Sequence, residues 1–465
     1  QTLPPGPLSL PIIGSLHRMV FDQPHITLAK LAKTHGPLMF MRLGSLDTVV
    51  VSSSEMAREV LHNQDMAFSS RGIPETVRHY DYFQHSVIWL PVGLQWRLLR
   101  KVLNTHVFSS MKLEKDRALR EKKVEELISY CDKCSKNGSF VDVGRAAFRT
   151  SLNLISNTML SMDLSDPSVD SGKELKKLVW NILVEAGKWH LVDYFPFLEK
   201  LYPFQIDRRM YRLTQRVHAI FQGLVNERLA QKKNEDDEAA KRDDRDLIDV
   251  VLDLARENPE EINHKHIQHL CLDLFEAGTH AISCTVEWAM AELIRNPETM
   301  EKARRELESV VGRGNAVRES DIQNLHYLEC VVKETIRLHP VGALIPRQVT
   351  QVQTVAGYTI PENSKVLINA WAIGRDPENW PDPLEFKPER FVGGGAGVGG
   401  LGVNEFEMIP FGGGRRICPG QPLAVKMVPV MVGTLINCFD WTPQNEAAMD
   451  MGEKFGINLQ KAKPL

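Results

Sequence analysis

Hydrophobic and polar positions recur along this chain with two periods, unevenly distributed. Near the N-terminus the period is two, and Leu38–Leu43 and Thr48–Val51 read as strands joined by a turn at Gly44 and Ser45. Ser54 is placed to cap a following helix that carries Met56, Val60 and Leu61. From 113 to 232 the period is helical, broken between Gly187 and Phe204 by Trp189, His190, Tyr194, Phe195, Phe197 and Tyr202. A second irregular aromatic segment, Arg71 to Leu94, holds Tyr80, Tyr82, Phe83 and Trp89. One long helix is expected from about Asn263 to Arg295. Strand signals return at Val352–Ile360 and Lys365–Asn369, around a turn at Pro361, Glu362 and Asn363. The pattern predicts a mainly α protein with a minor β lobe. No linker divides it, so residues 1–465 read as one large domain.

Composition narrows the classes. Apolar residues make up 43% and charged residues 25%, a globular balance, and a net charge of −3 gives no reason to expect nucleic acid. Seven scattered cysteines, an odd number, argue for a reducing compartment without a disulfide framework. Cys131 and Cys134 form a lone C-x-x-C without a partner pair and read as solvated cysteines near a helix end. His264, His266 and His269 cluster where the long helix starts and read as exposed first-turn residues rather than metal ligands. The mixed charges of Lys232 to Asp246 read as a solvated connection. Gly395, Gly397 and Gly400 satisfy G-x-G-x-x-G, but no strand leads in and no helix follows, so a surface loop is expected. No window approaches the roughly 20 apolar residues that span a bilayer.

The densest chemistry lies in Phe411-Gly-Gly-Gly-Arg-Arg-Ile-Cys-Pro-Gly420. Glycines ahead of Cys418 permit a tight loop whose N–H groups point at sulfur. Pro419 suits the first position of a following helix, which would place Cys418 at an N-terminus that favours the thiolate. Such a thiolate binds a metal or attacks an electrophile. The stretch resembles the haem-binding loop of the cytochrome P-450 family, with Phe411, Gly414, Arg416, Cys418 and Gly420 on its signature positions. The resemblance implies haem b with Cys418 as axial thiolate ligand to iron, Phe411 packed near the sulfur and Arg416 on a propionate. Two further motifs agree. Trp96-Arg97-x-x-Arg100 puts Trp96 and Arg100 on one helix face, and the resemblance assigns both to the propionates. Glu334 and Arg337 form E-x-x-R and, with Arg390, imply a buried structural network behind the haem. The implied fold places the haem between the long central helix and the cysteine loop.

Leu3-Pro4-Pro5-Gly6-Pro7 resembles the hinge that follows the membrane anchor of microsomal members. It implies an anchor ahead of residue 1, an endoplasmic reticulum location and a catalytic domain facing the cytosol. The family also implies oxygen as co-substrate, NADPH electrons through a separate flavoprotein reductase, a small lipophilic substrate and a monomer. Arg97, Lys101 and Arg415 are candidates for the reductase-docking face. Trp371-Ala-Ile-Gly-Arg-Asp-Pro377 looks like a plant member near the groups that oxidise terpenoids and benzylisoquinoline alkaloids.

One motif departs from the family. Its central helix carries A/G-G-x-D/E-T-T/S, an acid–alcohol pair that relays protons. Here Ala277 and Gly278 are kept, His280 replaces the acid and Ala281 replaces the alcohol. Thr279 and Ser283 point roughly 200° away on a helix, and Thr285 sits about 5–6 Å further along, so none substitutes directly. Three explanations remain open: a proton from substrate or water, a reaction without oxygen insertion, or engineered substitutions. Glu276 lies one turn before His280 and, with Val341, Leu344 and Phe455, is a candidate substrate contact. The expected reaction is oxidative phenol coupling of a benzylisoquinoline-type alkaloid. The alternative is ordinary hydroxylation of a terpenoid or alkaloid.

Overall fold

The computed structural model describes residues 2–19, 22–78, 82–164, 177–178, 181–182, 184–185, 190–198, 207–233, 245–258, 260–393, 406–444 and 449–465. The glycines at 395–400, most of the charged run from 232 to 246, Tyr80, Trp189 and Tyr202 lie outside them.

The β lobe is built from distant parts of the chain. Strands β1 (Leu38–Leu43) and β2 (Leu46–Val51) form a hairpin. Downstream come β3 (Leu344–Gln348), β4 (Gln353–Val355), β5 (Tyr358–Ile360) and β6 (Lys365–Asn369). The four-stranded sheet runs β1-β2-β6-β3, with β2 and β6 parallel. Both faces are covered, as the apolar runs of β2 and β6 require. Val49, Val51, Val366 and Ile368 pack with Val60, Leu61 and Phe68, while Val50 packs with Leu16, Leu28 and Phe195 on the other side. The strand expected over 352–360 is instead a hairpin: Ala356 and Gly357 both take positive φ, 48° and 81°, and reverse β4 into β5.

Helices form the rest: α1 (Leu94–His106), α2 (Val143–Leu160), α3 (Asp207–Lys233), α4 (His264–Arg295), α5 (His326–Leu338) and α6 (Gln421–Cys438). Asn263 caps α4 by accepting the N–H groups of Lys265 and His266, while its own N–H donates to His266 Nδ1. Helix α4 runs buried against α2 so closely that a Cβ on Gly278 would lie 2.9 Å from Ile155 Cδ1. Helix α6 is long and apolar enough to cross a membrane, a run the hydropathy reading passed over. It is a core helix: Met427, Val430, Met431 and Leu435 sit in the main hydrophobic cluster.

Several local expectations are corrected. Ser53, not Ser54, caps the helix after β2, its Oγ accepting the Met56 N–H at 3.3 Å. That helix ends in a π-helical turn, Glu59–Asn63. Cys131 is buried among Val124 and Leu127 rather than solvated, because its face of the Arg117–Lys136 helix meets the core. His266 and His269 are buried as well. The short helix Tyr82–His85 and α3 fold over the first turns of α4, setting His85 Nδ1 3.2 Å from His266 Nε2 and the His218 ring 4.6 Å from His269.

Candidate functional site

The cysteine loop is held by backbone geometry that only glycine takes without strain. Gly412 and Gly414 have φ of 71° and 66°, and a Cβ on Gly414 would lie 2.2 Å from Leu61 O in the π-helical turn. Cys418 N–H donates to Phe411 O at 3.0 Å, closing the loop. Helix α6 begins at Gln421 with Pro422 in its first turn, so Pro419 precedes the helix instead of opening it. The N–H groups of Gly420 and Gln421 are thereby directed at sulfur. Cys418 is exposed in the loop, yet the surrounding protein desolvates it and pushes the thiol up, while those two N–H groups, Arg100 and Arg71 act in the opposite direction.

Four guanidinium groups converge near this loop. Arg416 donates to Ser69 O, Ile88 O and Leu90 O, and Arg100 donates to Ile417 O. Arg71 donates to Ile88 O at 3.2 Å, yet its Nε is buried with no hydrogen-bond partner. Arg347, on β3, donates from Nη1 to the neighbouring Pro346 O at 2.9 Å and from Nη2 to Gly413 O in the loop at 3.5 Å. Burial and mutual repulsion push Arg71 down to about 10 and Arg416 to about 9, and hold Arg347 well below its usual value. Asp273, which accepts from Ser86 Oγ at 2.7 Å and from Val87 N–H at 2.8 Å, offsets Arg71 in part. Gathering this much buried positive charge is costly unless anionic groups complete it. The two carboxylates of a haem would supply that charge. Trp96 lies against Arg100 and Arg416, at 5.8 and 5.4 Å, and spends its indole N–H on Val87 O at 3.1 Å. Its ring thus backs both guanidinium groups. Arg71 and Arg347 escaped the sequence reading, although an arginine inside the apolar run of β3 is itself a signal.

Glu334, Arg337 and Arg390 come together. Arg337 Nε and Nη2 donate to the two Glu334 oxygens, both at 2.7 Å. Arg390 Nε and the Lys387 N–H add donors at 2.9 and 2.8 Å. Further guanidinium protons of Arg337 go to the carbonyls of Gly374, Pro383 and Glu385, so the buried charge is well satisfied.

On α4, Ala277 is exposed and Glu276, Gly278 and Ala281 are half-buried within an otherwise buried stretch. Neighbouring hydroxyls are occupied within the helix: Thr279 Oγ1 donates to Phe275 O at 2.6 Å, Ser283 Oγ to His280 O at 3.0 Å and Thr285 Oγ1 to Ala281 O at 2.9 Å. None stands in for the missing alcohol. His280 is buried, and its Nδ1 faces Asn458 Nδ2 at 3.0 Å and Cys284 Sγ at 3.2 Å. Burial pushes its imidazole down to about 4, so it is neutral. Val341 O accepts the Leu459 N–H at 2.8 Å, which ties it to the C-terminal hairpin. Phe455 stacks on His25 at 5.6 Å, and Leu344 packs toward the β-lobe cluster. Arg97, Lys101 and Arg415 are all exposed, with Asp65 3.4 Å from Arg415.

A glycine-rich loop presenting a cysteine, a buried arginine group and the Glu-Arg-Arg network coincide with a family match: the cytochrome P-450 family model covers residues 4–464. The chain is a cytochrome P-450. It is 55% identical over 469 residues to a geraniol 8-hydroxylase from Swertia mussotii, spanning 100% of this chain and 93% of the relative. Identity to a geraniol 8-hydroxylase from Catharanthus roseus is 54%, with the same coverage. A solved zebrafish cytochrome P-450 with progesterone superimposes with a TM-score of 0.80 over 95% of this chain and 98% of that one. At 23% identity that likeness speaks for the fold alone. This cytochrome P-450 is an oxidoreductase that uses haem-thiolate iron, oxygen and NADPH-derived electrons from a reductase. When bound, the haem supplies oxygen activation. Here Cys418 would hold the iron, with Arg71, Arg100, Arg347 and Arg416 around the carboxylates.

Proposed function

We propose that this cytochrome P-450 hydroxylates a lipophilic terpenoid, with a monoterpene alcohol such as geraniol as its first candidate. The observation that carries this reading is full-length identity of 55% and 54% to two geraniol 8-hydroxylases. Phenol coupling, the reaction expected from Ala281, yields to the alternative because neither relative's name describes it. A hydroxylated substrate also answers the Ala281 problem, since its own hydroxyl brings a hydrogen-bond donor into a site that lacks one. Glu276, Val341, Leu344 and Phe455 remain candidate substrate contacts in this reading.

The same reading makes residues 1–465 one catalytic unit and a monomer, docked on the endoplasmic reticulum membrane with the catalytic part in the cytosol. Leu8, Leu10 and Ile12 are exposed near the proline-rich segment, and Leu191 and Phe197 are exposed in a stretch tied to the β1–β2 turn by Ser45 N–H donating to Tyr194 O at 2.9 Å. Together they offer an apolar surface suited to lipid. Arg97, Lys101 and Arg415 form the proposed docking face for the reductase.

Turnover of geraniol with a reductase, NADPH and labelled oxygen gas tests the reaction. A product one oxygen heavier that carries the label supports hydroxylation. An unlabelled product two hydrogens lighter from a phenolic substrate, with geraniol untouched, restores coupling instead.

A further inference from the structure

The C-terminal residues fold back as a small hairpin, β7 (Glu453–Lys454) and β8 (Gln460–Lys461), whose turn spans 455–459. It is anchored at both ends. At its base Glu453 accepts from His25 Nε2 at 2.8 Å and from Trp371 Nε1 at 3.0 and 3.1 Å, with Arg375 3.4 Å away. At the last residue of the turn, Leu459 N–H donates to Val341 O, and Trp288 Nε1 donates to Leu459 O at 3.3 Å. Trp288 lies on α4, so that bond holds the end of the turn to the helix, and two turns earlier along α4 a second contact joins them: Asn458 Nδ2 and His280 Nδ1, 3.0 Å apart.

With the Asn458 amide nitrogen toward the ring, Nδ1 acts as the acceptor, and Cys284 Sγ at 3.2 Å lies on the same atom. An amide N–H aimed at Nδ1 needs a lone pair there, so the neutral ring carries its proton on Nε2. Phe148 meets the ring edge-on with centroids 6.2 Å apart, and the ring is buried. A ring that accepts at Nδ1, sealed between α2 and the hairpin, is shaped to hold a neighbour rather than to cycle a proton.

We propose that His280 is a positioning residue: through Asn458 it pins the turn 455–459 to α4, and so sets how a substrate lies beside Ala277 and Ala281. This rests on the hydroxylase reading for its substrate, but not for the coupling itself. A position that carries a proton-relay acid elsewhere in the family serves here to order the turn 455–459.

The test uses the haem-loaded protein in four forms: Asn458→Ala, His280→Phe, their combination, and His280→Gln, which keeps an acceptor. Amide hydrogen exchange over 455–459 needs no substrate. Losing one hydrogen bond should raise exchange there roughly 3- to 10-fold. The double variant should add nothing to either single one, and His280→Gln should stay near the parent. In parallel, the spin-state shift with geraniol gives a dissociation constant, and product analysis gives the ratio of hydroxylation positions. Both should move in Asn458→Ala and His280→Phe together. Additive effects, or unchanged exchange in Asn458→Ala, would overturn the proposal. So would a solvent isotope effect on turnover that vanishes in His280→Phe while the product ratio stays fixed. Failure of the parent to convert geraniol would instead count against the hydroxylase reading and leave the exchange result to decide this one.

Discussion

Lowering the pH should unfasten the roof over α4, by an amount the buried histidines set. His85, on the helix Tyr82–His85, faces His266 and His269 of α4, and His218 of α3 faces His269. The α4 cap fixes one tautomer. Asn263 N–H donates to His266 Nδ1, so the proton of the neutral ring lies on Nε2, where His85 Nδ1 at 3.2 Å can accept it. His269 donates from Nδ1 to Lys265 O at 2.6 Å. The charged groups nearest this cluster are Lys265, whose ammonium pushes His218 down, and Asp273, held by Ser86. Burial pushes His266 to about 4 and His269 to about 3. A base whose folded pKa lies below its unfolded value costs nothing above about pH 6.5 and destabilises the closed state as pH falls below it. Between pH 7.5 and 5.5 each ring therefore costs about 1.4 kcal/mol, and the two together about 2.7 kcal/mol. The local opening equilibrium should rise ~100-fold, and His218 adds in the same direction. Hydrogen exchange over 82–85 and 264–270, corrected for the intrinsic pH dependence, measures it. His269→Gln should cut the effect to ~10-fold. Equal protection at both pH values, or no change in His269→Gln, would refute the reasoning.

Cys418→Ser should keep the fold but lose the red-shifted band of the reduced carbon monoxide complex, and a retained band would remove Cys418 as the ligand. Glu334→Ala and Arg390→Ala each leave a buried charge unpaired at a cost of roughly 3–5 kcal/mol. Both should yield protein depleted of haem on purification, checked by the ratio of haem to protein absorbance. Ala281→Thr returns the alcohol while sparing the His280–Asn458 bond. Since a positioned proton donor is worth ~10²–10⁴ in rate, peroxide released per NADPH should fall in this variant, and equal release would show that substrate or water already supplies the proton.

What was legible in the sequence was local. Phe411–Gly420 states its loop through glycine spacing, and Glu334 with Arg337 states an ion pair through one helical turn. Residues whose meaning comes from distant partners were not legible. Arg71 and Arg347 matter because the fold brings them to Arg416; the apolar neighbours of Arg347 in β3 mark it as unusual, but only the fold supplies its partners. His266 and His269 read as exposed because the helix Tyr82–His85 and α3, which cover them, lie elsewhere in the chain. Pro419 was placed two residues early: Gly420 is the N-cap and Gln421 opens α6. Ala356 and Gly357 were passed over because alanine seldom takes positive φ, and only the β4–β5 pairing demands it here.

The β lobe also sets a schedule for the ribosome. Thr48 pairs with Lys365, 317 positions later in the chain. At about 5–20 residues per second, strand β2 waits about 15–60 s for its parallel neighbour after it is made. During that interval the β1–β2 hairpin presents the open edge formed by Thr48, Val49, Val50 and Val51. Such an edge invites pairing with other nascent chains. Production of this enzyme in a foreign host should therefore be limited by that wait, and slower growth or added chaperone should raise the yield of haem-loaded protein more than a stronger promoter does.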